Sequence, residues 1–233
     1  MMTINGLLGE YEVILFDLMD TLMFGGNRFS TDEDYAYTYA QLGGHLYSSV
    51  FVQSLIHAVY ERMHADYNHP GCYTNFPAAS VYIQQLLTER QASTADADRL
   101  AQVFALHELG HIPDGHVATL EALSQTHRLG LVSNLWAGAD LFRRVFREVG
   151  IHHLFEVLVF SSDHACIKPS PRLFRVALDQ LAVEPRRILF VGDDADRDVA
   201  AARALGMDTV WVTGAKQEPG PGRCVRSVVE LVR

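Results

Sequence analysis

The chain has 233 residues, 48% hydrophobic and 20% charged, enough for one substantial core or a core with a smaller module, and too apolar for global disorder. Its net charge of −9 argues against a nucleic-acid-binding surface, which needs a basic patch. The cysteines, Cys72, Cys166 and Cys224, are widely spaced and odd in number, so they offer neither a disulfide framework nor a CxxC zinc pattern and fit a reduced, intracellular setting.

The opening MMTINGLLGEYE lacks a basic segment followed by an apolar core, so no signal peptide is expected and the expected location is cytoplasmic. EVILF (12–16) reads as a buried strand, followed by Asp17, Met19, Asp20 and Thr21. Residues 24–112 change texture. Leu46, Val50, Leu55, Val59 and Met63, then Val81, Leu86, Val103 and Leu106, recur at helical spacing with almost no strand-like run. The turn-rich YNHPGCYTNFP (67–77) divides this segment into two pairs of helices. Residues 35–60 contain no Asp, Glu, Lys or Arg. Their glycines, glutamines and histidines would be costly in hydrocarbon, so no membrane span is expected. A buried or partner-facing helix is expected instead, in a monomer or a homodimer.

From about residue 115, LGLVS (129–133), FEVLVF (155–160), RILFV (187–191) and DTVWV (208–212) are near-continuous apolar runs, as buried parallel strands should be. Between them, Leu141, Phe142, Val145, Phe146 and Val149 mark one helix face; Leu173, Ala177 and Leu181, beside Phe174 and Leu178, mark another. Strand alternating with helix predicts an α/β fold, a doubly wound, Rossmann-like parallel sheet. Residues 1–23 and 113–233 would form this core, with 24–112 as an inserted helical domain.

Such folds bind ligands beyond the carboxyl ends of their strands. The residues expected there are Asp17, Met19, Asp20 and Thr21; Ser133 and Asn134; Lys168 in SSDHACIKPSP; and Asp193, Asp194, Asp196 and Asp198 in GDDADRD. Lys168 is conspicuous, because Lys216 is the only other lysine in the chain. Hard carboxylate oxygens suit Mg²⁺, which keeps waters and shares its site with phosphate. A hydroxyl and backbone N–H groups at a strand-to-helix turn suit a phosphate oxygen, and a lysine neutralises charge between them.

FDLMDTL, LVSN, KPSPRLF and VGDDADRDVAAAR, in that order and each at a predicted strand end, resemble the four motifs of the haloacid dehalogenase superfamily, whose members are mostly phosphatases working through an aspartyl-phosphate. The resemblance implies that Asp17 is the nucleophile, that Ser133 and Asn134 hold the transferring phosphoryl group, and that Lys168 bridges Asp17 and phosphate, oriented by Asp198. It places Mg²⁺ on Asp17, the backbone carbonyl of Met19 and Asp193, with the adjacent Asp194 as a further ligand. The 24–112 insertion would be a helical cap excluding water from a small phosphorylated metabolite, with Arg28 among its substrate contacts. Simpler roles also fit Thr21, as a turn cap beside the site, and Asp196, as an N-terminal helix acid.

One position departs from the phosphatase pattern. Two residues after the nucleophile those members carry a second aspartate that protonates the leaving oxygen; here Met19 stands there. On an extended backbone Asp20 would point elsewhere. Three readings stay open: a phosphatase narrow in leaving group or using a donor such as His69, Tyr73 or His45; a 2-haloacid dehalogenase-type hydrolase; or a non-catalytic protein that binds phosphate and Mg²⁺. A Schiff-base phosphonate chemistry is disfavoured, because residues 24–112 contain no lysine. HELGH (107–111) also matches the zinc-protease pattern HExxH, but Gly110 would end the helix near His111, a third ligand is wanting beyond a guess at Glu121, and the simpler expectation is a last cap helix stopped by Pro113.

Overall fold

Val13–Phe16 (β1) alternates its side chains between two apolar faces, both covered, so all four residues are fully buried. In the computed structural model, residues 8–25, 28–30, 32–214 and 222–232 are described; Lys216 and residues 1–7 lie outside them. β1 pairs in parallel with Arg128–Ser133 (β2) on one side and Ile188–Gly192 (β4) on the other. Phe155–Phe160 (β3), Asp208–Val212 (β5) and Cys224–Val225 (β6) complete a parallel sheet of order β3-β2-β1-β4-β5-β6. The expected α/β doubly wound sheet is present. Its sixth strand has no signature in the sequence, since two residues after a Gly/Pro-rich stretch cannot display a period.

Among the described residues, four α-helices lie between β1 and His111: α1 (Tyr35–Gln41), α2 (Ser49–Tyr67), α3 (Ala79–Glu89) and α4 (Ala97–Glu108). They pack on one another, and the 67–77 turn separates them into two pairs. Then come α5 (Asp114–Ser124), α6 (Asp140–Val149), a single turn α7 (Ser161–His164) and α8 (Pro171–Leu181). A π-helical turn at Ala195–Ala200 runs into α9 (Ala201–Ala204). Ile14 and Phe16 belong to a core with Leu120, Phe142 and Phe146, whereas Val13 and Leu15 pack with Leu173, Phe174 and Ala177 of α8. Those two clusters are the two sides of the winding.

The helical face in 35–60 differs in detail from its periodicity. Val52, Leu55, Ile56, Val59 and Met63 are buried, but Leu46 precedes α2 and is 47% exposed, and Val50 in its first turn is 79% exposed. Val81, Leu106 and Val149 are also exposed, while their neighbours Ile83, Val103 and Phe146 carry the packing. Spacing without a cap signal cannot locate where a helix begins, so periodicity alone starts the stripe one turn too early.

The helical segment leaves and rejoins the sheet through a narrow pair. Phe24 N donates to His111 O at 2.8 Å and His111 N donates to Phe24 O at 2.9 Å. Gly110 allows this approach: a Cβ there would lie 2.6 Å from the Phe24 carbonyl. The same contact removes the HExxH arrangement. α4 ends at Glu108, so His107 and His111 do not share a helix face. His107 bonds Glu33 and Thr38, His111 is exposed, and Pro113 caps α5.

Candidate active site

β1, β2 and β4 are neighbours, so the sheet alone brings together the residues just beyond their carboxyl ends. Asp17 N continues the ladder by donating to Val191 O at 2.9 Å. A crevice of about 180 Å³ opens beyond, lined by Asp17, Met19, Asn134, Lys168, Asp193 and Asp198 among others. Lys168 Nζ is buried and donates to Asp17 Oδ1 at 2.6 Å, Asp198 Oδ1 at 2.6 Å and Val132 O at 3.0 Å. Burial by itself disfavours the ammonium, but Asp17 and Asp198 outweigh it and hold Lys168 above its ordinary range, charged at neutral pH.

Gly192 ends β4 because Asp198 needs its space: a Cβ at 192 would lie 2.4 Å from Asp198 Oδ2. The π-helical turn after it brings Asp198 back to the strand end, where its Oδ2 accepts from Asp194 N at 3.1 Å. Asp193 accepts from Thr21 Oγ1 at 3.3 Å. Asp194 also lines the crevice, but its carboxylate is occupied. Its Oδ1 accepts from the backbone N–H groups of Asp196 and Arg197, making it the N-cap of the turn. Asp196 is exposed on that turn.

Asp17, Asp193 and Asp198 each offer an oxygen within 4.8 Å of the other two. Burial, then Asp17, pushes Asp193 well above the usual carboxylate range; burial also raises Asp198, with Lys168 pulling against it. Three close carboxylates with one ammonium leave negative charge uncompensated. That donor set fits a hard divalent cation such as Mg²⁺. Ser133 Oγ is buried at the end of β2 without a hydrogen-bond partner, an orphan that a phosphate oxygen would satisfy.

Asn134 is placed at the crevice, but its amide is occupied. Oδ1 accepts from Lys168 N at 2.8 Å, and Nδ2 donates to Lys168 O at 3.2 Å and Tyr67 Oη at 3.1 Å. Tyr67, from α2, therefore keeps its own proton to donate, and burial pushes its phenol up to about 12. Arg197 lies 4.2 Å from the Tyr67 ring centroid and donates to Tyr67 O at 3.0 Å. Neither residue stands out in the sequence, although Arg197 lies inside GDDADRD.

Asp20 departs from the extended-backbone expectation. Its φ is +62°, so its side chain and that of Met19 line the same crevice. Its carboxylate is taken by Arg28, which donates to both oxygens at 2.9 Å. Arg28 lines a second, adjoining cavity with Trp136 and Glu108. His45, His69 and Tyr73 line neither: His45 bonds Gly43 O, His69 caps a short turn, and Tyr73 O accepts from Ile167 N.

Glu108 fills a role unlike that of a protease base. Fully buried at the end of α4, it accepts from Trp136 N at 2.8 Å and Ala137 N at 2.6 Å, clasping the loop after Ser133. Burial raises its carboxyl to about 6 against the pull of those two N–H groups. The loop is pinned again by Ser161 Oγ, which bonds Leu135 N and O.

Comparison with known proteins places this geometry. A phosphoserine phosphatase of Thermus thermophilus is 29% identical over 168 residues, 70% of this chain and 67% of that protein. The crystal structure of a HAD phosphatase from Thermococcus onnurineus superposes with a TM-score of 0.63 at 20% identity, covering 94% of this chain and 95% of the other. A 2-haloacid dehalogenase from Pseudomonas syringae pv. Tomato gives 0.65 at 19%, covering 95% and 96%. At these identities the two structures show the fold alone. Residues 11–206, from β1 past the last acidic motif, match the haloacid dehalogenase-like hydrolase family, and the chain belongs to it.

Proposed function

We propose that this hydrolase is a Mg²⁺-dependent phosphatase that acts on a small phosphorylated metabolite through a phosphoryl group carried on Asp17. The observation that carries the reading is the buried Lys168, bonded at once to Asp17 and Asp198 beside an Asp193 that has no cation partner of its own among the described residues and whose pKa burial and Asp17 raise. Asp17 attacks phosphorus, the leaving oxygen departs with the bonding electrons, and water then releases phosphate and regenerates the carboxylate. Lys168 neutralises Asp17 and the phosphoryl oxygens, Ser133 Oγ donates to one of them, and Asp198 holds Lys168 in place. Asp17, Asp193 and the Met19 carbonyl would hold the metal, Thr21 steadying Asp193; the capping bonds of Asp194 argue against it as a ligand. Bound there, Mg²⁺ would offset charge on the phosphoryl group.

Residues 24–112, tethered at Phe24 and His111, form the cap in this reading. A phosphoserine phosphatase among the relatives favours phosphate transfer over carbon–halogen cleavage, as does the acidic cluster. Met19 supplies no proton, so the enzyme should favour leaving groups that are weak bases. Met19 equally suits a binding protein that keeps phosphate and metal without turnover.

The test is Mg²⁺-dependent turnover of acetyl phosphate and p-nitrophenyl phosphate, with Asp17→Asn purified in parallel. Turnover lost in the variant is expected. Folded protein with no turnover of either substrate would favour the binding reading, and activity surviving in Asp17→Asn would place the chemistry elsewhere.

A further inference from the structure

The cavity adjoining the crevice encloses about 340 Å³ and shares Met19, Asp20, Tyr67 and Asn134 with it. A group leaving from a phosphate at Asp17, past Met19, would enter it. Its walls are aromatic and come from both sides of the molecule. Phe29 stacks on Tyr60 at 5.1 Å, Tyr60 on Trp136 at 5.6 Å, and Tyr67 meets Trp136 at 5.4 Å. Tyr60 and Tyr67 come from α2, whereas Trp136 stands on the loop clasped by Glu108. Tyr60, Tyr67 and Trp136 are only partly buried, so ring surface remains for a ligand.

The charged groups lining this cavity, Asp20, Arg28 and Glu108, are already engaged. Arg28 is bound to both oxygens of Asp20, and Glu108 is held by two backbone N–H groups. Two carboxylates face one guanidinium, and the one other basic side chain of the lining, His64, lies with its ring 5.7 Å from Tyr60 and 6.5 Å from Trp136, so no permanently charged cation is spare for a second anionic group. A carboxylate or further phosphate on the leaving group would be desolvated beside Asp20 and Glu108 without a partner.

We infer that this cavity is a subsite for an uncharged aromatic ring, and that the substrate is an aryl phosphomonoester with its phosphate at Asp17 and its ring among Tyr60, Tyr67 and Trp136. The assignment rests on the phosphatase reading above. It also accounts for Met19. The Asp17 oxygen–phosphorus bond forms as the phosphorus–aryl oxygen bond breaks, and the aryloxide leaves with the electron pair and takes its proton from water. Phenols ionise near pH ~10, far below aliphatic alcohols, so such a group departs without a general acid. Water then splits the phosphoryl–Asp17 bond, giving inorganic phosphate and the free carboxylate.

The test separates the subsite from the chemistry. Calorimetry of the wild-type protein with Mg²⁺ compares three non-hydrolysable ligands: methylphosphonate, benzylphosphonate and 4-carboxybenzylphosphonate. Benzylphosphonate should bind at least about tenfold tighter than methylphosphonate, and the added carboxylate should remove that gain. Tyr60→Leu should cut the advantage several-fold, the worth of a lost ring contact, while Tyr60→Phe keeps it. Equal affinity for all three ligands, or tighter binding of the carboxylated one, overturns the subsite whatever the protein hydrolyses. Failure to turn over both acetyl phosphate and p-nitrophenyl phosphate, with the ring preference intact, overturns the phosphatase reading and leaves the aromatic subsite standing.

Discussion

Glu108→Gln isolates one buried charge, and its effect can be worked from the structure. Glu108 has its carboxyl raised from 4.5 to about 6 by burial, against the pull of the Trp136 and Ala137 N–H groups. A carboxyl that binds its proton more tightly folded than unfolded contributes stability that is fully present below the unfolded value and lost as pH rises through the folded value. The window is therefore about pH 4.5 to 6. At about 1.4 kcal/mol per unit, the loss across it is about 2 kcal/mol. Glutamine keeps the shape and does not titrate. Other groups titrate alike in both proteins, so they cancel in the difference. Urea unfolding of the two proteins from about pH 4 to 7.5 should show wild type losing about 2 kcal/mol relative to Glu108→Gln, or roughly 4–8 °C in melting temperature for a chain of this size. A difference that stays flat across that range would refute the reasoning, because Glu108 would then be ionising as it does in water.

Met19→Asp should raise turnover of an alkyl phosphate such as glycerol phosphate by up to about 10²–10⁴, the usual worth of a general acid, with a smaller change for acetyl phosphate. An equal change for both substrates would show that protonation of the leaving group is not what Met19 lacks. Mg²⁺ should stabilise the protein more at pH 8 than at pH 6, because burial and Asp17 keep Asp193 protonated above the usual carboxylate range and the metal must displace that proton. Equal thermal shifts at the two pH values would contradict this. Gly192→Ala should cost about 1–3 kcal/mol and most of the turnover, since the new methyl would meet Asp198 Oδ2 at 2.4 Å and push it off Lys168. Unchanged activity in that variant would mean that Asp198 is not needed where it stands.

Strand positions are readable in the sequence because the runs 12–16, 129–133, 155–160, 187–191 and 208–212 are covered on both faces over most of their length and so are mainly apolar, with charged exceptions such as Glu156, Arg187 and Asp208 exposed. Asp17, Ser133 and Lys168 are readable for a related reason: a parallel sheet delivers the residues after adjacent strands to one place. Three roles are not readable. Asp193 and Asp194 have the same side chain and both line the crevice, and only the hydrogen bonds from Asp196 and Arg197 mark Asp194 as the cap. Glu108 looks like part of a metal motif because its partners, two backbone N–H groups 28 and 29 residues away, leave no trace in composition. Asp20 defies the extended-strand expectation because one left-handed residue redirects a side chain, and although aspartate adopts that conformation more readily than most side chains, its presence does not require it.

Phe24 and His111 face each other as two residues of a hairpin would, although 86 residues lie between them. The four intervening helices thus form a cassette whose ends already touch. A tight turn could join those ends without moving β1 or α5, and a different cassette could be grafted between the same two residues with the sheet undisturbed. Closing so long a loop adds little entropy beyond closing a short one, since the cost grows only with the logarithm of length. For this chain, diversification of what is recognised is topologically separable from conservation of what is done to it.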